Sequence, residues 1–203
     1  AGIHGDEAIG PASLMSYLEE AIGSETSKNV HYVVYPMLNP WGLKHCTRRN
    51  KDNKDLNREL KKDSKSKLYE ILLLDLYGKP VNLGLDIHEA WGNDFFVLGN
   101  DKKDLSYSSQ ALKGFPQDLL VRSPNGSYPY QKNGRTYVFY SPGVGVSQNK
   151  NTMKSFMKDT IKAPIAITTE APLGMDLSSR KENYKNLIKT LVDNTITFDT
   201  SGV

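Results

Sequence analysis

The alternation of strand-like and helix-like segments is the feature that most constrains how this chain of 203 residues can fold. Apolar residues at helical spacing predict helices over residues 8–22, 66–77 and 152–157 and from about residue 179 onward. Segments rich in β-branched and aromatic residues predict strands over residues 30–35, 81–87, 95–98, 136–140 and 165–169. Residues 100–133 are rich in Gly, Pro, Ser and Asn, which predicts mostly irregular structure. Strands that alternate with helices indicate an α/β fold with a largely parallel sheet.

The size and composition of the chain predict one domain over residues 1–203, because the length and the 38% hydrophobic content suit a single buried core. No apolar run approaches the length of a membrane span, so no spanning segment is predicted. The first residue is not Met, and a candidate site residue already stands at position 4. We therefore expect an N-terminally truncated or processed chain, in which the strand ahead of position 4 is missing or reduced to Ala1-Gly2-Ile3.

Two histidines and a glutamate form a candidate metal site. His4 and Glu7 are separated by a Gly-Asp pair, and His88 follows a predicted strand. A catalytic zinc site needs three protein ligands and an open position for water, and two histidines with one glutamate form such a set. Functional side chains of parallel α/β sheets gather at the carboxyl ends of strands, where His88 is expected. The sequence therefore predicts one Zn²⁺ ion bound by His4, Glu7 and His88.

Acidic residues near these histidines have further predicted roles. Glu170 follows the last predicted strand, and we expect it to transfer protons during catalysis. Metal-bound imidazoles usually donate their second N–H to a carboxylate, and Asp55 is predicted to accept such a bond. Asp86 shares a strand face with His88 and could either orient a ligand or satisfy a strand end. Glu89 is excluded as a fourth ligand, because adjacent strand residues point to opposite faces.

Two arginines and an asparagine are candidate substrate-binding residues. Arg48 is predicted to stabilise the oxyanion of a tetrahedral intermediate. Asn57 and Arg58 are predicted to bind a substrate carboxylate, with the guanidinium making a bidentate contact. Residues 44–67 contain ten Lys/Arg and four Asp/Glu, but few aromatic residues lie among them. We therefore expect no nucleic-acid partner for this basic run.

The motifs together resemble the zinc carboxypeptidase family, of the carboxypeptidase A and B type, over nearly the whole chain. The resemblance rests on His4-Gly5-Asp6-Glu7, Asn39-Pro40-Trp41-Gly42, Thr47-Arg48-Arg49-Asn50, Asp55-Leu56-Asn57-Arg58, His88 and Glu170. It implies a three-layer α/β fold, in which helices cover both faces of a mixed, mostly parallel twisted sheet. Tyr140 is the candidate for the family's tyrosine that closes over the substrate, and strand packing is the alternative role of this residue.

The resemblance implies a zinc-dependent carboxypeptidase that hydrolyses the amide bond at a peptide C-terminus. The short separation between Glu7 and His88 is similar to that of compact bacterial members, which act on cell-wall (murein) peptides. We therefore expect a peptide or peptide-like substrate with a free carboxylate. A location outside the cell or in the cell envelope is favoured over the cytoplasm.

Two alternative functions stay open. Asp86-Ile87-His88-Glu89 is also similar to the succinylglutamate desuccinylase and aspartoacylase group, which uses the same zinc and arginine set on N-acyl amino acids. The second alternative is a non-catalytic binding module on the same fold. The sequence does not indicate an oligomeric state.

Overall fold

The computed structural model describes residues 1–122, 128–132 and 135–198, and for residues 26–27, 128–132 and 135–137 it describes the backbone alone. The helices in these ranges are α1 (Ile9–Ala21), α2 (Glu25–Asn29), α3 (Pro40–Lys44), α4 (Lys67–Leu76), α5 (Lys102–Ala111), α6 (Met153–Ser155) and α7 (Leu177–Thr197). The strands are β1 (Leu83–Ala90), β2 (Phe96–Gly99), β3 (Tyr128–Lys132), β4 (Arg135–Ser141), β5 (Val144–Val146) and β6 (Ile165–Pro172). Among the helices of these ranges, none combines the length and apolarity that crossing a membrane requires.

The six strands form one sheet in the order β1-β6-β2-β5-β4-β3. Strand β1 pairs with β6, and β2 with β5, in parallel. The pairings of β2 with β6, β3 with β4 and β4 with β5 are antiparallel. The sheet is mixed, as predicted, but two of its five pairings are parallel and three are antiparallel, so it is not mostly parallel. In the β1–β6 pair, His88 lies opposite Glu170, so the register brings these two predicted site residues together.

Helices cover both faces of the sheet, which confirms the predicted three-layer α/β architecture. On one face, α1, α5 and α7 pack against side chains that include Ile87 and Ile167. On the other face, α4 and α6 form a second core with Ala166, in which Leu72 and Phe156 are buried. Ala166 and Ile167 belong to different cores because successive residues of a strand point to opposite faces.

Local sequence explains where several helices begin. The side chains of Ser66, Asp101 and Asp176 each accept a hydrogen bond from a backbone N–H three residues later, as helix-capping residues do. Helix α1 lacks such a cap of its own. Instead, Glu89 of β1 accepts a hydrogen bond from the Ile9 N–H at 2.7 Å. Glu89 therefore caps the N-terminus of helix α1, which agrees with its exclusion as a metal ligand.

No strand forms over residues 30–35, so that prediction is wrong. A cleft of about 850 Å³ lies between this segment and the edge strand β1. Residues 35–38 contact the start of the chain: the Ala1 amino group donates to the Tyr35 carbonyl at 2.9 Å, and the Leu38 N–H donates to the Ala1 carbonyl at 3.2 Å.

Helix α5 and strand β3 lie in the range predicted to be mostly irregular, so that prediction is wrong for Lys102–Ala111 and for Tyr128–Lys132. The segment of helix α5 has few apolar residues, and its helical period is therefore not visible in the sequence. Tertiary contacts stabilise the helix: Tyr107 is buried in the core, and its hydroxyl donates to the Leu191 carbonyl of α7. Residues 123–127 and 133, also in that range, lie outside the described residues.

Candidate metal centre

A cavity of about 660 Å³ lies at the carboxyl-terminal halves of β1 and β6. Side chains from the start of the chain, from residues 48–58 and from residues 147–154 complete its wall. The predicted site residues that line it are His4, Glu7, Arg48, Asp55, Asn57, Arg58, His88 and Glu170. The fold thus gathers motifs that are far apart in the sequence into one space, as open α/β sheets commonly do.

The loop that carries His4 and Glu7 packs backbone to backbone against the turn at residues 39–42. A Cβ atom on Gly5 would lie 1.9 Å from the carbonyl carbon of Gly42, so this close approach requires a glycine. The turn itself is held by Asn39, whose Oδ1 accepts a hydrogen bond from the Gly42 N–H at 3.0 Å. Two glycine-containing motifs of the sequence therefore position the first two predicted ligands.

The Glu7 carboxylate bridges the two histidines. Its Oε1 lies 2.8 Å from Nδ1 of His4, and its Oε2 lies 2.7 Å from Nδ1 of His88. All three residues are buried, and one ligand atom from each lies within 4.8 Å of the other two. Two imidazoles and one carboxylate at this spacing form the donor set that a catalytic zinc ion requires.

The second ring nitrogen of each histidine contacts a different carboxylate. Nε2 of His4 lies 3.2 Å from Oδ1 of Asp55, and Nε2 of His88 lies 3.0 Å from Oδ1 of Asp86. An ionised carboxylate only accepts hydrogen bonds, so Asp55 and Asp86 each favour a proton on Nε2. A ring that keeps this proton and gives up any proton on Nδ1 presents the Nδ1 lone pair on the side of Glu7, which is the form of imidazole that binds a metal ion, and the residues fit zinc. Asp86, left open by the sequence, is a partner of His88.

Electrostatic coupling within this cluster lowers the pKa of Glu7 and raises that of His88. Burial alone would raise the pKa of the Glu7 carboxyl, but the imidazoles of His88 and His4 outweigh burial and lower it well below its ordinary value. Burial would likewise lower the pKa of His88, but the carboxylates of Asp86 and Glu7 raise it well above its usual range. A proton on His88 and a metal ion would therefore compete for the same negative charge.

Arg48 lies beside the candidate ligand atoms. Its Nη1 is 3.2 Å from Nδ1 of His4 and 3.6 Å from Oε1 of Glu7. Its Nε donates to Oδ2 of Asp55 at 3.1 Å, which fixes the guanidinium in this position. The side chain is 41% exposed, so the fixed positive charge is accessible to a ligand in the cavity.

Asn57 and Arg58 both line the cavity, but they differ in their contacts. Oδ1 of Asn57 accepts a hydrogen bond from the Met153 N–H at 2.6 Å, and Nδ2 lies 3.0 Å from Nε2 of His88. Oδ1 of Asn57 is therefore engaged with the backbone, Nδ2 faces the cavity beside His88, and the contact of Asn57 with substrate stays a prediction. Arg58 is partly buried and donates from Nη1 to the Asn57 carbonyl at 2.6 Å. Its planar guanidinium is the type of group that binds carboxylates in a bidentate fashion.

Glu170 lies opposite His88 on the neighbouring strand. Burial raises the pKa of its carboxyl group to about 7, and the carboxylates of Glu7 and Asp86 act in the same direction. Among the described residues, Oε2 of Glu170 is buried without a hydrogen-bond partner. A carboxyl group with a pKa near neutrality can both accept and return a proton, which suits general acid–base chemistry.

Tyr184 supports the site through contacts that its place in the sequence does not indicate. Helical spacing places this residue only on the apolar face of α7, but its hydroxyl lies between β1 and β6. It accepts a hydrogen bond from the His88 N–H at 3.0 Å, donates to the His88 carbonyl at 2.7 Å, and lies 2.8 Å from Oγ1 of Thr169. His88 and Tyr184 are 96 residues apart in the chain, so no local sequence pattern indicates the contact between them.

The structure does not bring Tyr140 to the cavity, in contrast to the prediction from the resemblance. Tyr140 lies on β4 and is 52% exposed, and the residues that line the cavity do not include it. Its neighbour Phe139 is buried against Phe96, and the pairing of β4 with β5 is irregular between Phe139 and Ser141, where Tyr140 lies.

A comparison with protein families agrees with this geometry. Residues 1–99 match the model of the succinylglutamate desuccinylase/aspartoacylase catalytic domain. The matched range contains His4, Glu7 and His88. Among curated proteins, none matches the chain.

Solved structures share the fold over almost the whole chain. A candidate metallopeptidase from Shewanella denitrificans is 19% identical with a TM-score of 0.73, and the match covers 97% of this chain and 72% of that one. A metallo-carboxypeptidase from Burkholderia cenocepacia is 15% identical with a TM-score of 0.66, covering 96% and 54%. The tripeptide-bound cell shape determinant Csd4 from Helicobacter pylori is 17% identical with a TM-score of 0.61, covering 97% and 50%. At these identities the likeness establishes the fold alone, and it confirms the predicted carboxypeptidase-like α/β fold.

Proposed function

We propose that the chain is a zinc-dependent hydrolase that cleaves the amide bond at the carboxyl end of a peptide. The observation that carries the proposal is the convergence of His4, Glu7 and His88 in one buried cluster, with Glu170 opposite His88 on the next strand. The family match over residues 1–99 and the shared fold support the hydrolase class.

Glu170 is the proposed proton-transfer group of the reaction. A zinc ion bound by the three ligands would supply Lewis-acid chemistry to the amide. Glu170 would accept a proton from the attacking water and return it to the leaving amine. Its pKa of about 7 suits both steps near neutral pH.

Two arginines would bind the negative groups of the reacting substrate. Arg48 lies next to His4 and Glu7 and would stabilise the charge that develops on the carbonyl oxygen. Arg58 lines the same cavity and would bind the free carboxylate at the end of the substrate. Asn57 would assist Arg58 through Nδ2, because its Oδ1 already accepts a hydrogen bond from the Met153 N–H.

A peptide chain end is the proposed substrate, and a murein peptide is our specific proposal within that class. Two neighbours of the same fold support a peptide: one is described as a metallo-carboxypeptidase, and the other was solved with a bound tripeptide. An N-acyl amino acid deacylase is the second candidate function, because the family model that matches residues 1–99 describes such enzymes. Both reactions cleave an amide bond next to a free carboxylate. They differ in the acyl side of the substrate, which is a peptide in one reaction and a simple acyl group in the other.

Metal analysis combined with a substrate screen tests the proposal. We expect about one zinc ion per chain and release of C-terminal residues from peptides, with murein peptides compared against ordinary peptides and N-acyl amino acids. Glu170→Gln retains the shape of the side chain but not its basicity, so kcat should fall about 10²- to 10⁴-fold with zinc still bound. Glu19→Gln changes an exposed residue of α1 and serves as the matched control.

The possible results separate the candidate functions. Retained activity of Glu170→Gln would contradict the assignment of the base. Turnover of N-acyl amino acids alone would favour the deacylase. A fully zinc-loaded protein without turnover of either substrate class would favour a non-catalytic binding module.

A further inference from the structure

Trp91 presents a large aromatic surface at the rim of the candidate active site. It directly follows β1, it is 71% exposed, and it lines the same cavity as His88 and Glu170. An indole ring that stays in water forgoes the free energy that its burial would contribute. Tryptophan is also one of the residues on which binding energy most often concentrates when a ligand covers it.

Apolar side chains continue from Trp91 into the cavity. A single exposed apolar residue would need no explanation, so the neighbours of this ring matter. Ala90 and Leu173 are half-buried, Phe96 and Leu98 are buried, and all four line the cavity together with Trp91. Ligand sites commonly combine an apolar lining with a few fixed polar groups. The cavity therefore has an apolar part in addition to the polar part that holds the candidate metal ligands.

Backbone hydrogen bonds hold the turn that carries Trp91. The Leu173 N–H donates to the Ala90 carbonyl at 2.8 Å, and the Gly174 N–H donates to the Gly92 carbonyl at 2.8 Å. These contacts continue the association of β1 with β6 past the ends of both strands. Gly92 has a φ of +136°, a conformation that favours glycine. The backbone of Trp91 is therefore fixed before a ligand binds, which lowers the ordering cost of contact with its ring.

Trp91 lies at a defined distance from the candidate metal ligands. It follows His88 by three residues, and a strand rises about 3.3 Å per residue, so the two Cα atoms are about 10 Å apart. An extended peptide covers this distance with two to three residues, roughly. Arg58, the proposed partner of the terminal carboxylate, follows Asn57, whose Nδ2 lies 3.0 Å from Nε2 of His88. The carboxylate end of the substrate is thus placed near His88, and its acyl side can extend along the strand ends to Trp91.

We propose that Trp91 forms a distal subsite, which binds an apolar group of the substrate two to three residues from the scissile amide on the acyl side. The inference rests on the proposed function and narrows its substrate class to chains that reach this far. A simple N-acyl amino acid ends short of the ring. Trp91 selects the substrate through stacking and apolar contact and takes no part in bond cleavage.

Substrates that differ only in the distal group test this inference. Two acetylated tetrapeptides with the same C-terminal residue carry either Phe or Ala at the third position from the scissile amide, with Ala at the two positions between. The zinc-loaded protein should show a kcat/KM about tenfold higher for the Phe peptide. Trp91→Ala should lower kcat/KM about tenfold more for the Phe peptide than for the Ala peptide.

Tyr77→Ala is the matched control for this comparison. Tyr77 is an aromatic residue of similar exposure, 76%, and it lies outside the cavity. The preference for the Phe peptide should therefore persist in Tyr77→Ala. Equal rates for the two peptides in the wild-type protein, or an equal loss for both in Trp91→Ala, would overturn the inference.

Substrate length gives a second test. An N-acetyl amino acid with the same C-terminal residue lacks the distal group, so its kcat/KM should be at least about tenfold below that of the Phe peptide. Trp91→Ala should narrow this gap, because the lost contact exists only with the longer substrate. A short substrate that the wild-type protein cleaves as fast as the Phe peptide would contradict a distal subsite.

A binding measurement separates this inference from the proposed function. Analogues of the two tetrapeptides in which a CH2–NH group replaces the scissile amide cannot be hydrolysed. In calorimetric titrations of the zinc-loaded protein, the Phe analogue should bind about tenfold more tightly, and Trp91→Ala should abolish the difference. This result without hydrolysis of any peptide would support the subsite and refute the hydrolase. Equal affinities would overturn the subsite even if peptides are cleaved, and the wild-type comparison decides the question if Trp91→Ala fails to fold.

Discussion

At the scale of single residues, the two imidazoles of the candidate metal centre are fixed on both sides. Each ring contacts Glu7 through Nδ1 and a separate carboxylate through Nε2. This arrangement sets the ring orientation and the position of its proton before a metal ion binds. Asp55 and Asp86 therefore support the candidate ligands His4 and His88 without belonging to the ligand set.

Replacement of Asp86 tests the importance of such a partner. Asp86→Asn removes the negative charge that holds the proton on Nε2 of His88, while the size of the side chain is retained. We expect the affinity for zinc to fall about 10- to 100-fold, measured by competition with a chelating dye. Asp63→Asn, an exposed acidic residue, is the control and should bind zinc as the wild-type protein does. Unchanged affinity in Asp86→Asn would contradict the role of Asp86.

The pH dependence of zinc binding has a defined sign. The pKa of His88 is raised well above its usual range, and the ring must lose its second proton before Nδ1 can bind a metal ion. Zinc affinity should therefore increase with pH until the pH exceeds the raised pKa of His88. Below that pKa, zinc binding should release a proton from His88. Calorimetric titrations in buffers of different ionisation enthalpy measure the number of protons released for each zinc ion bound. Binding without proton release at neutral pH would disagree with this coupling.

At the scale of elements, the site depends on contacts between loops and strands that lie far apart in the sequence. The loop of residues 4–7 rests on the turn of residues 39–42 through Gly5. Tyr184 links α7 to β1 and β6 behind His88. The positions of the ligands therefore depend on backbone packing as well as on the side chains themselves.

Gly5→Ala tests the contact between the two loops. The added Cβ would lie 1.9 Å from the Gly42 carbonyl carbon, so the backbone has to move. We expect a loss of about 1–3 kcal/mol or more in the free energy of unfolding, with weaker zinc binding. Gly114→Ala is the control, since its Cβ would meet Thr190 Cγ2 at an ordinary 3.7 Å. Denaturant unfolding and zinc titration measure both effects, and wild-type values for Gly5→Ala would contradict the proposed packing.

At the scale of the whole molecule, the sheet changes from parallel to antiparallel pairing at β6. This strand pairs in parallel with β1 and antiparallel with β2, and it carries Glu170 between His88 and Phe96. Parallel pairing aligns the carboxyl ends of β1 and β6, which is where the cavity forms. The site is therefore a consequence of topology as much as of the motifs.

The sequence predicts the α/β class and several residues of the cavity wall because both leave local signals. His4, Glu7, Asp55 and Arg58 belong to short motifs, and His88 and Glu170 belong to recognisable apolar strands. Contacts that depend on tertiary packing leave no such signal. Helix α5 is stabilised by the burial of Tyr107, and Lys154 becomes a cavity residue only when α6 packs beside Gly99 and Ser147.

The most direct test of the account is the zinc environment of the purified protein, measured by X-ray absorption together with metal content. We predict about one zinc ion per chain, with imidazole nitrogens and carboxylate oxygen at about 2.0–2.2 Å, and a loss of zinc in His88→Ala. A protein that binds no zinc, or that retains the same zinc environment in His88→Ala, would contradict the account.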